Sequence, residues 1–206
     1  MKRLKKENLN TPQEYNRIFY RRQQEGLQDG DVRRWEALIK KFKGGKMIDI
    51  GCLDSMIPNL IKEKDFKYLG IDLAGEAISI MQTRYTNEPK IRYEVRDCYK
   101  TGLPDKYFDY VVMGEVLEHL EEPLDAIQEA LRILKSGGYL ATSTPLNEAQ
   151  DPGAVDLERH LWSYTIRDMQ KILQPFGKVT NKVLGSVHFP VYKYYFPTLI
   201  TYLKKK

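Results

Sequence analysis

The chain has 206 residues, which corresponds to about one domain and is enough to bury a substantial core. Apolar residues make up 42% of it and charged residues 30%, so collagen-like, coiled-coil and disordered classes are excluded. No apolar run approaches the roughly 18 residues that cross a bilayer, and Cys52 and Cys98 form neither a disulfide framework nor a metal clip. We therefore expect a folded cytoplasmic protein.

The net charge of +5 is concentrated at the two ends of the chain. Residues 1–46 hold thirteen lysine and arginine residues against six aspartate and glutamate residues, and the last three residues are all lysine. The part between them is mildly acidic, which argues against a nucleic-acid groove through the domain and leaves open a basic arm that contacts an anionic partner. We expect residues 1–45 to form basic N-terminal helices and residues 46–206 the main domain, within a single compact unit.

Short apolar runs that alternate with longer amphipathic stretches predict an α/β fold with an open parallel sheet. The predicted strands are Lys46–Ile50, Tyr68–Ile71, Ile91–Val95, Tyr107–Met113 and Tyr139–Ser143. The predicted helices are Pro12–Gln24, Asp31–Phe42, Gly75–Tyr85, Thr165–Leu173, and Pro123–Leu134 with Gly137-Gly138 as its stop. Lys178–Leu184 alternates loosely like a strand, and the aromatic segment Val187–Leu203 could form a last edge strand.

Acidic residues stand at the ends of three consecutive predicted strands. Asp49 is followed by Gly51, a residue type that lets a ligand approach the backbone closely. Asp72 ends the next strand, where a carboxylate can accept hydrogen bonds from both hydroxyls of a ribose. Asp97 ends the third strand, where it can accept a hydrogen bond from an exocyclic amine such as that of adenine. Because ligands bind outside the carboxyl ends of strands in open parallel sheets, these positions predict a nucleoside site.

Over about residues 46–177, these segments resemble class I S-adenosylmethionine-dependent methyltransferases. MIDIGC is similar to the first motif of that family, YLGID to its ribose-binding strand end, and VRDC to its adenine-contacting turn. FDYVVMGEVLEHLEEP resembles the fourth-strand motif of the subgroup that includes the ubiquinone-pathway O-methyltransferases, and LRILKSGGYLATSTP resembles the fifth-strand segment. The resemblance implies a Rossmann-like, doubly wound, mostly parallel seven-stranded sheet with an antiparallel last strand.

The same resemblance implies S-adenosyl-L-methionine as the cofactor. Asp72 would hold its ribose, Asp97 and Cys98 its adenine, and Asp49 and Gly51 its methionyl end. The other cofactor contacts that the motifs imply are Cys52, Leu53, Leu73 and Gly114.

The first loop departs from the family pattern, because Leu53 and Ser55 stand where the family usually has its second and third glycines. A leucine side chain there would shift the cofactor or weaken its binding. A non-catalytic, methyltransferase-like binding protein is therefore an alternative. A dinucleotide-binding dehydrogenase is disfavoured, because Gly-x-Gly-x-x-Gly is absent.

Three residues are candidates for the chemistry of methyl transfer. The donor methyl group is already activated, so alignment supplies most of the catalysis, and a general base assists when the acceptor is a hydroxyl. Glu115 lies at the mouth of the fourth strand, and His119 would share its face if residues 115–120 were helical. His160 follows a polar loop that we expect to cover the acceptor pocket. Structural roles remain open for both histidines, and we expect a small-molecule or glycan hydroxyl as the acceptor.

The pattern Glu115-x-x-Glu118-His119, together with the distant His160, also resembles the metal site of small-RNA 2′-O-methyltransferases. That resemblance implies a divalent ion held by two Glu and two His against the terminal ribose hydroxyls. The same local pattern occurs in metal-free relatives, so we do not predict a resident metal. A metal-assisted RNA ribose methyltransferase is nevertheless an alternative, with nucleic acid as a partner that is allowed but not favoured.

The aromatic C-terminal part could lie at a membrane interface. Its relevant residues are Phe189, Tyr192, Tyr194, Tyr195, Phe196 and Tyr202, with Lys204–Lys206. An edge strand that packs one aromatic face on the core is the more ordinary arrangement. We therefore expect no transmembrane segment and no peripheral membrane contact.

Overall fold

The computed structural model describes residues 1–4, 7–26, 29–147, 159–185 and 197–206. Its helices are α1 (Pro12–Glu25), α2 (Asp29–Leu38), α3 (Ile57–Leu60), α4 (Gly75–Arg84), α5 (Pro123–Ile133) and α6 (Ile166–Leu173). Its strands are β1 (Lys2–Arg3), β2 (Gly45–Ile50), β3 (Phe66–Asp72), β4 (Ile91–Val95), β5 (Phe108–Gly114), β6 (Leu134–Pro145), β7 (Trp162–Ser163), β8 (Gly177–Leu184) and β9 (Thr198–Lys205).

Seven strands form one sheet in the order β4-β3-β2-β5-β6-β9-β8. β9 is antiparallel to both of its neighbours, and the other neighbouring strands pair in parallel. The predicted doubly wound, mostly parallel sheet with an antiparallel last strand is thereby confirmed. The strand order reverses between β2 and β5, and ligands bind at such a reversal, outside the carboxyl ends of the strands.

The sheet is covered on both faces, which explains why its central strands read as continuous apolar runs. Met47 and Tyr110 point to one face, where they join a cluster that includes Phe19 of α1. Their chain neighbours Ile48 and Val111 point to the other face and join a cluster that contains residues of α5 and α6. The alternation along each strand therefore builds two apolar layers around the sheet.

The prediction of an edge strand at the C-terminus is wrong. β9 lies between β6 and β8, and β8 is the edge strand. The residues from Leu199 to Leu203 are all buried, as an interior strand requires. Lys204 and Lys205 belong to β9 and are not a loose tail. Residues 186–196, which hold most of the aromatic segment, lie outside the described residues, and Tyr202 is buried in the core.

The predicted stop of α5 is also wrong. The helix ends at Ile133, and the chain enters β6 directly at Leu134. Gly137 and Gly138 lie inside β6, where the pairing with β5 is interrupted: the residues of β6 that pair with β5 are Leu134 and then Tyr139. Gly137 has a φ of 78°, a conformation that favours glycine, so the pair forms a bulge in the strand.

The N-terminal residues lie over the carboxyl ends of the strands. β1 pairs with β7, and the N–H of Leu4 donates to the carbonyl oxygen of Leu161 at 2.8 Å. α1 buries only Phe19, and its Tyr20 hydroxyl donates to Oε2 of Glu76 at 2.9 Å. α1 is therefore held mainly by polar contacts. Within the described ranges, no helix has the length and apolar character needed to cross a membrane.

Candidate functional site

A cavity of about 620 Å³ opens at the carboxyl ends of β2, β3 and β5, and residues of α1 line it as well. Every residue predicted as catalytic or cofactor-binding lines this cavity except Asp97. The residues that line it are Asp49, Gly51, Cys52, Leu53, Asp72, Leu73, Cys98, Gly114, Glu115, His119 and His160. The fold thus brings them into one site.

The loop after β2 is held in left-handed backbone conformations. Gly51 has a φ of 71°, and a Cβ there would lie 2.5 Å from Cγ2 of Val116, so only glycine fits. Leu53 has a φ of 39°, which costs a non-glycine residue roughly 1–3 kcal/mol. Its N–H donates to Oδ2 of Asp72 at 3.0 Å, which helps to hold this conformation. The loop therefore turns sharply without the two missing glycines.

Asp72 has a carboxylate that two backbone groups fix in place. Oδ2 accepts from the N–H of Leu53, and Oδ1 accepts from the N–H of Ala74 at 2.9 Å. Burial raises the pKa of Asp72 above the usual aspartate value, and the backbone hydrogen bonds oppose that shift. Each oxygen can still accept a further hydrogen bond, so the group suits a pair of neighbouring hydroxyls.

Asp49 and Arg34 place opposite charges in the same cavity. Asp49 is 3% exposed, and its Oδ2 accepts from the Tyr68 hydroxyl at 2.9 Å. Burial raises the pKa of Asp49 to about 6, against the hydrogen bonds and the positive charge of Arg34, which lower it. Nη2 of Arg34 donates to Asp31 at 2.8 Å, but its buried Nε has no hydrogen-bond partner in the described part of the chain. Sequence reasoning missed Arg34, because α2 reads as a solvated polar helix.

Arg22 ties the loop to the N-terminal helices. Its Nε donates to the two oxygens of Asp54 at 3.1 and 2.9 Å, and its Nη2 donates to Asp31 at 3.1 Å. Arg34 binds the other oxygen of Asp31. Asp31 and Asp54 are 1% and 4% exposed, so this network is buried. The positions of α1 and of the loop are therefore coupled, and no local sequence pattern could indicate this because α1 and the loop are far apart in the chain.

Glu115 has a strained backbone at the end of β5. Its φ is 54°, and its N–H donates to the carbonyl oxygen and to Oγ of Ser143, both at 3.0 Å. Its Oε1 is buried without a hydrogen-bond partner among the residues that the structure describes. The idea that residues 115–120 are helical is wrong, since only Leu117–His119 form a short 3-10 helix. Glu115 and His119 therefore do not share a helix face, although both reach the cavity.

His119 and His160 lie side by side, with ring centroids 4.7 Å apart and planes at 71°. Nδ1 of His119 is 3.2 Å from the carbonyl oxygen of Arg159, so the neutral ring donates from Nδ1 and keeps Nε2 as an acceptor. Burial, with a smaller contribution from His160, lowers the pKa of His119 to about 3. His119 is therefore neutral near pH 7 and is a weak base there.

Glu118 is fully buried next to the two histidines. One ligand-type atom from each of Glu118, His119 and His160 lies within 4.8 Å of the others. A carboxylate and two imidazoles form a donor set that suits divalent ions of the Mn²⁺ type. Glu115, which the sequence pattern suggested as a fourth ligand, is not part of this group.

Asp97 differs from the other predicted residues. It is exposed, and its Oδ1 accepts from the N–H of Tyr99 at 2.8 Å, which forms a tight Asx turn. Its neighbour Cys98 does line the cavity, and burial raises the pKa of that thiol to about 12. Contact between Asp97 and an adenine amine stays a prediction.

The N-terminal segment also contacts the histidine-bearing loops. Nδ2 of Asn10 donates to the carbonyl oxygens of His119 at 3.1 Å and of Arg159 at 2.9 Å. The Tyr15 hydroxyl donates to Oδ1 of Asn10 at 3.0 Å. Sequence reasoning missed Asn10 and Tyr15, because these contacts join parts of the chain more than a hundred residues apart.

Comparison with known proteins finds similarity to methyltransferases over part of the chain. Residues 48–142 match the protein family described as "Methyltransferase domain". The chain is 28% identical over 113 residues to the ubiquinone biosynthesis O-methyltransferase of Leptothrix cholodnii. This alignment covers 53% of this chain and 48% of that protein. It is 28% identical over 175 residues to the mitochondrial ubiquinone biosynthesis O-methyltransferase of Rattus norvegicus, which covers 76% of this chain and 50% of that protein. The chain thus spans about half the length of these relatives.

The fold agrees with this match. The crystal structure of an S-adenosylmethionine-dependent methyltransferase from Archaeoglobus fulgidus superposes with a TM-score of 0.69 at 18% identity, over 92% of this chain and 99% of that one. The matched sequence segment runs from β2 to β6 and holds the acidic strand ends that line the cavity. Residues 48–142 thus match the methyltransferase-domain family, and the fold of the chain is similar to that of S-adenosylmethionine-dependent methyltransferases.

Proposed function

We propose that this chain transfers the methyl group of S-adenosyl-L-methionine to a hydroxyl group of a small molecule or a glycan. The proposal depends on one cavity that holds two groups of residues. Asp49 and the fixed carboxylate of Asp72 lie in it at the predicted cofactor positions. The unpartnered oxygen of Glu115 and the side chain of His160 belong to the same cavity. The two relatives described above are named as O-methyltransferases, which favours oxygen as the acceptor atom.

The cofactor would be held by charge and hydrogen bonds from β2, β3 and α2. Asp72 would accept from the two ribose hydroxyls, since each of its oxygens can accept one more hydrogen bond. Asp49 would face the ammonium group of the methionyl part, and the Nε of Arg34 would donate to its carboxylate group. Leu73 is 46% exposed at the cavity, and it would give the adenine ring an apolar surface.

The transfer forms a bond from the acceptor oxygen to the methyl carbon while the bond from that carbon to the sulfonium sulfur breaks. The hydroxyl proton passes to a base, and S-adenosylhomocysteine is the second product. Glu115 and His160 are the bases that we propose. His119, with its pKa of about 3, takes up a proton poorly near pH 7 and would instead position His160 through their ring contact.

Calorimetric titration with S-adenosylmethionine and S-adenosylhomocysteine tests cofactor binding. We expect Asp72→Ala to weaken binding at least about a hundredfold, because two hydrogen bonds to a charged group are lost. Thermal unfolding of the Asp72→Ala variant checks that the loop that Asp72 supports has not collapsed. Asp65→Ala is the matched control, since its side chain is fully exposed at the other end of the sheet. Absence of binding by the unmodified protein at millimolar ligand would overturn the proposal and favour a non-catalytic binding protein.

Replacement of the two bases tests the chemical step. Glu115→Gln and His160→Asn should each lower kcat about 10²- to 10⁴-fold with a hydroxyl acceptor found by screening. The dissociation constant of the cofactor should stay unchanged, because neither side chain is assigned to it. If both variants keep the full rate, neither residue is the base.

A metal-assisted RNA ribose methyltransferase is the second candidate, and the close approach of Glu118, His119 and His160 favours it. These three residues would hold the ion, with Nδ1 of His119 already engaged by a carbonyl oxygen and Nε2 left as its ligand atom. A bound divalent ion would lower the pKa of a coordinated hydroxyl. Calorimetric titration with Mn²⁺ should then show one site that Glu118→Gln abolishes and Glu121→Gln does not. An unmodified protein that binds no Mn²⁺, and whose methyl transfer is insensitive to chelators, would rule this candidate out.

A further inference from the structure

Lysine residues stand at one end of every strand in the seven-stranded sheet. They are Lys46 in β2, Lys67 in β3, Lys90 just before β4, Lys106 before β5, Lys135 in β6, Lys178 in β8 and Lys204 in β9. The six parallel strands contribute residues at their start, whereas the antiparallel β9 contributes residues at its end. All seven therefore lie at the end of the sheet opposite the cavity. We call the surface that they form the amino-end face.

The strand pairing aligns these lysines into a row. Lys46 pairs directly with Lys67, and Lys178 pairs directly with Lys204. Neighbouring strands lie about 4.8 Å apart, so the row spreads over roughly 30 Å. Like charges directly opposite each other in a sheet are destabilising. These lysine pairs therefore lower the stability of the sheet, and the hydrogen bonds between the strands do not require lysine at these positions.

Acidic side chains neutralise only part of this charge. Asp109 pairs with Lys135 at 2.6 Å, and Asp65 pairs with Lys90 at 3.4 Å. Five lysines of the face make no ion pair in the ranges that the structure covers, namely Lys46, Lys67, Lys106, Lys178 and Lys204. Further exposed lysines flank the row at Lys40, Lys41, Lys43, Lys62 and Lys64. The face therefore carries a net positive charge that the fold leaves unbalanced.

Lys205, which also lies at this end of the sheet, has a clear structural role. Nζ of Lys205 donates to the carbonyl oxygens of Leu131 and Leu134 at 2.7 and 2.8 Å, where it caps the C-terminus of α5. Two aromatic side chains stand among the remaining lysines, Tyr107 at 40% exposure and Phe176 at 38%. Exposed aromatic rings among lysines are typical of surfaces that meet a lipid headgroup layer.

We propose that the amino-end face docks the protein on an anionic phospholipid bilayer. Lysine carries most of the charge, and it attracts anionic headgroups without a defined binding geometry. Base-specific recognition of nucleic acid is less well matched, because it uses bidentate arginine and aromatic stacking platforms. With the face on the bilayer, the cavity at the opposite end of the strands stays open to water, so this docking is independent of the proposed methyl transfer.

Co-sedimentation with vesicles tests the proposal. The protein should pellet with vesicles that contain phosphatidylglycerol, should not pellet with pure phosphatidylcholine vesicles, and should be released at about 1 M salt, where the Debye length is about 3 Å. The test variant combines Lys43→Glu, Lys67→Glu and Lys106→Glu, and its partitioning should fall at least tenfold. The matched control combines Arg17→Glu, Lys100→Glu and Arg167→Glu, which reverse three exposed charges away from the face. Thermal unfolding of both variants checks that each is folded.

Three outcomes would overturn the docking proposal. The first is no pelleting of the unmodified protein, and the second is an equal loss of binding in the test and control variants. The third is that the unmodified protein shifts duplex RNA in a gel but does not bind vesicles, and that the test variant loses the RNA shift. That result would assign the face to nucleic acid.

Discussion

Asp49 carries a carboxyl group that changes its charge close to physiological pH. Its pKa is raised to about 6 mainly because the group is buried, so it is mostly neutral at pH 5 and mostly ionised above pH 7. The methionyl end of the cofactor brings an ammonium group, which favours the ionised form. We therefore expect the affinity for S-adenosylhomocysteine to rise about tenfold between pH 5 and pH 7.5, as measured by calorimetry.

The same residue makes the free protein less stable as the pH rises. The folded state holds the proton more tightly than the unfolded chain, whose aspartate pKa is 3.8. The stability from this protonation is complete below about pH 4 and is lost as the pH passes 6, a difference of about 3 kcal/mol. Asp49→Asn should flatten both the affinity profile and this part of the stability profile. A variant that keeps the original affinity profile would show that another group titrates.

At the scale of elements, the contact between α1 and the loop after β2 depends on Arg22. Removal of this side chain leaves Asp54, which is 4% exposed, without its partner, and Asp31 keeps only Arg34. Arg22→Ala should therefore lower the free energy of unfolding by roughly 2–4 kcal/mol in urea titrations. It should also weaken cofactor binding, because the loop that carries Leu53 loses its anchor. Arg17→Ala, whose side chain is 81% exposed, should change stability by no more than about 0.5 kcal/mol.

The elements differ in how far sequence could predict them. The strands and their acidic ends were predictable, because a parallel sheet buried on both faces requires continuous apolar runs and places strand ends together. α1 was predicted as a helix, but its contacts were not, since Arg22 and Tyr15 meet partners that are distant in the chain. β9 was misplaced because its terminal lysines read as a solvated tail, although the mostly apolar segment from Leu199 to Leu203 is typical of an interior strand.

At the scale of the whole molecule, the sheet separates two kinds of charge. Carboxyl groups such as Asp49, Asp72 and Glu115 stand at the carboxyl ends of the strands, and lysines stand at the other ends. A six-residue strand such as β2 spans roughly 20 Å, about twice the Debye length at physiological salt. Charges at one end should therefore have little direct electrostatic effect on a ligand at the other.

This separation predicts that ligand binding and surface charge act additively on stability. S-adenosylhomocysteine at about 100 times its dissociation constant should add about 2.7 kcal/mol to the free energy of unfolding. For a chain of this length the Tm should rise by roughly 5–10 °C. The variant with Lys43→Glu, Lys67→Glu and Lys106→Glu should show the same rise from its own starting Tm, since distant and independent sites add. Scanning calorimetry measures the rise, and Arg22→Ala serves as a comparison because its change lies next to the cofactor loop. A clearly smaller rise in the triple-lysine variant would mean that the sheet transmits changes from the amino-end face to the cavity.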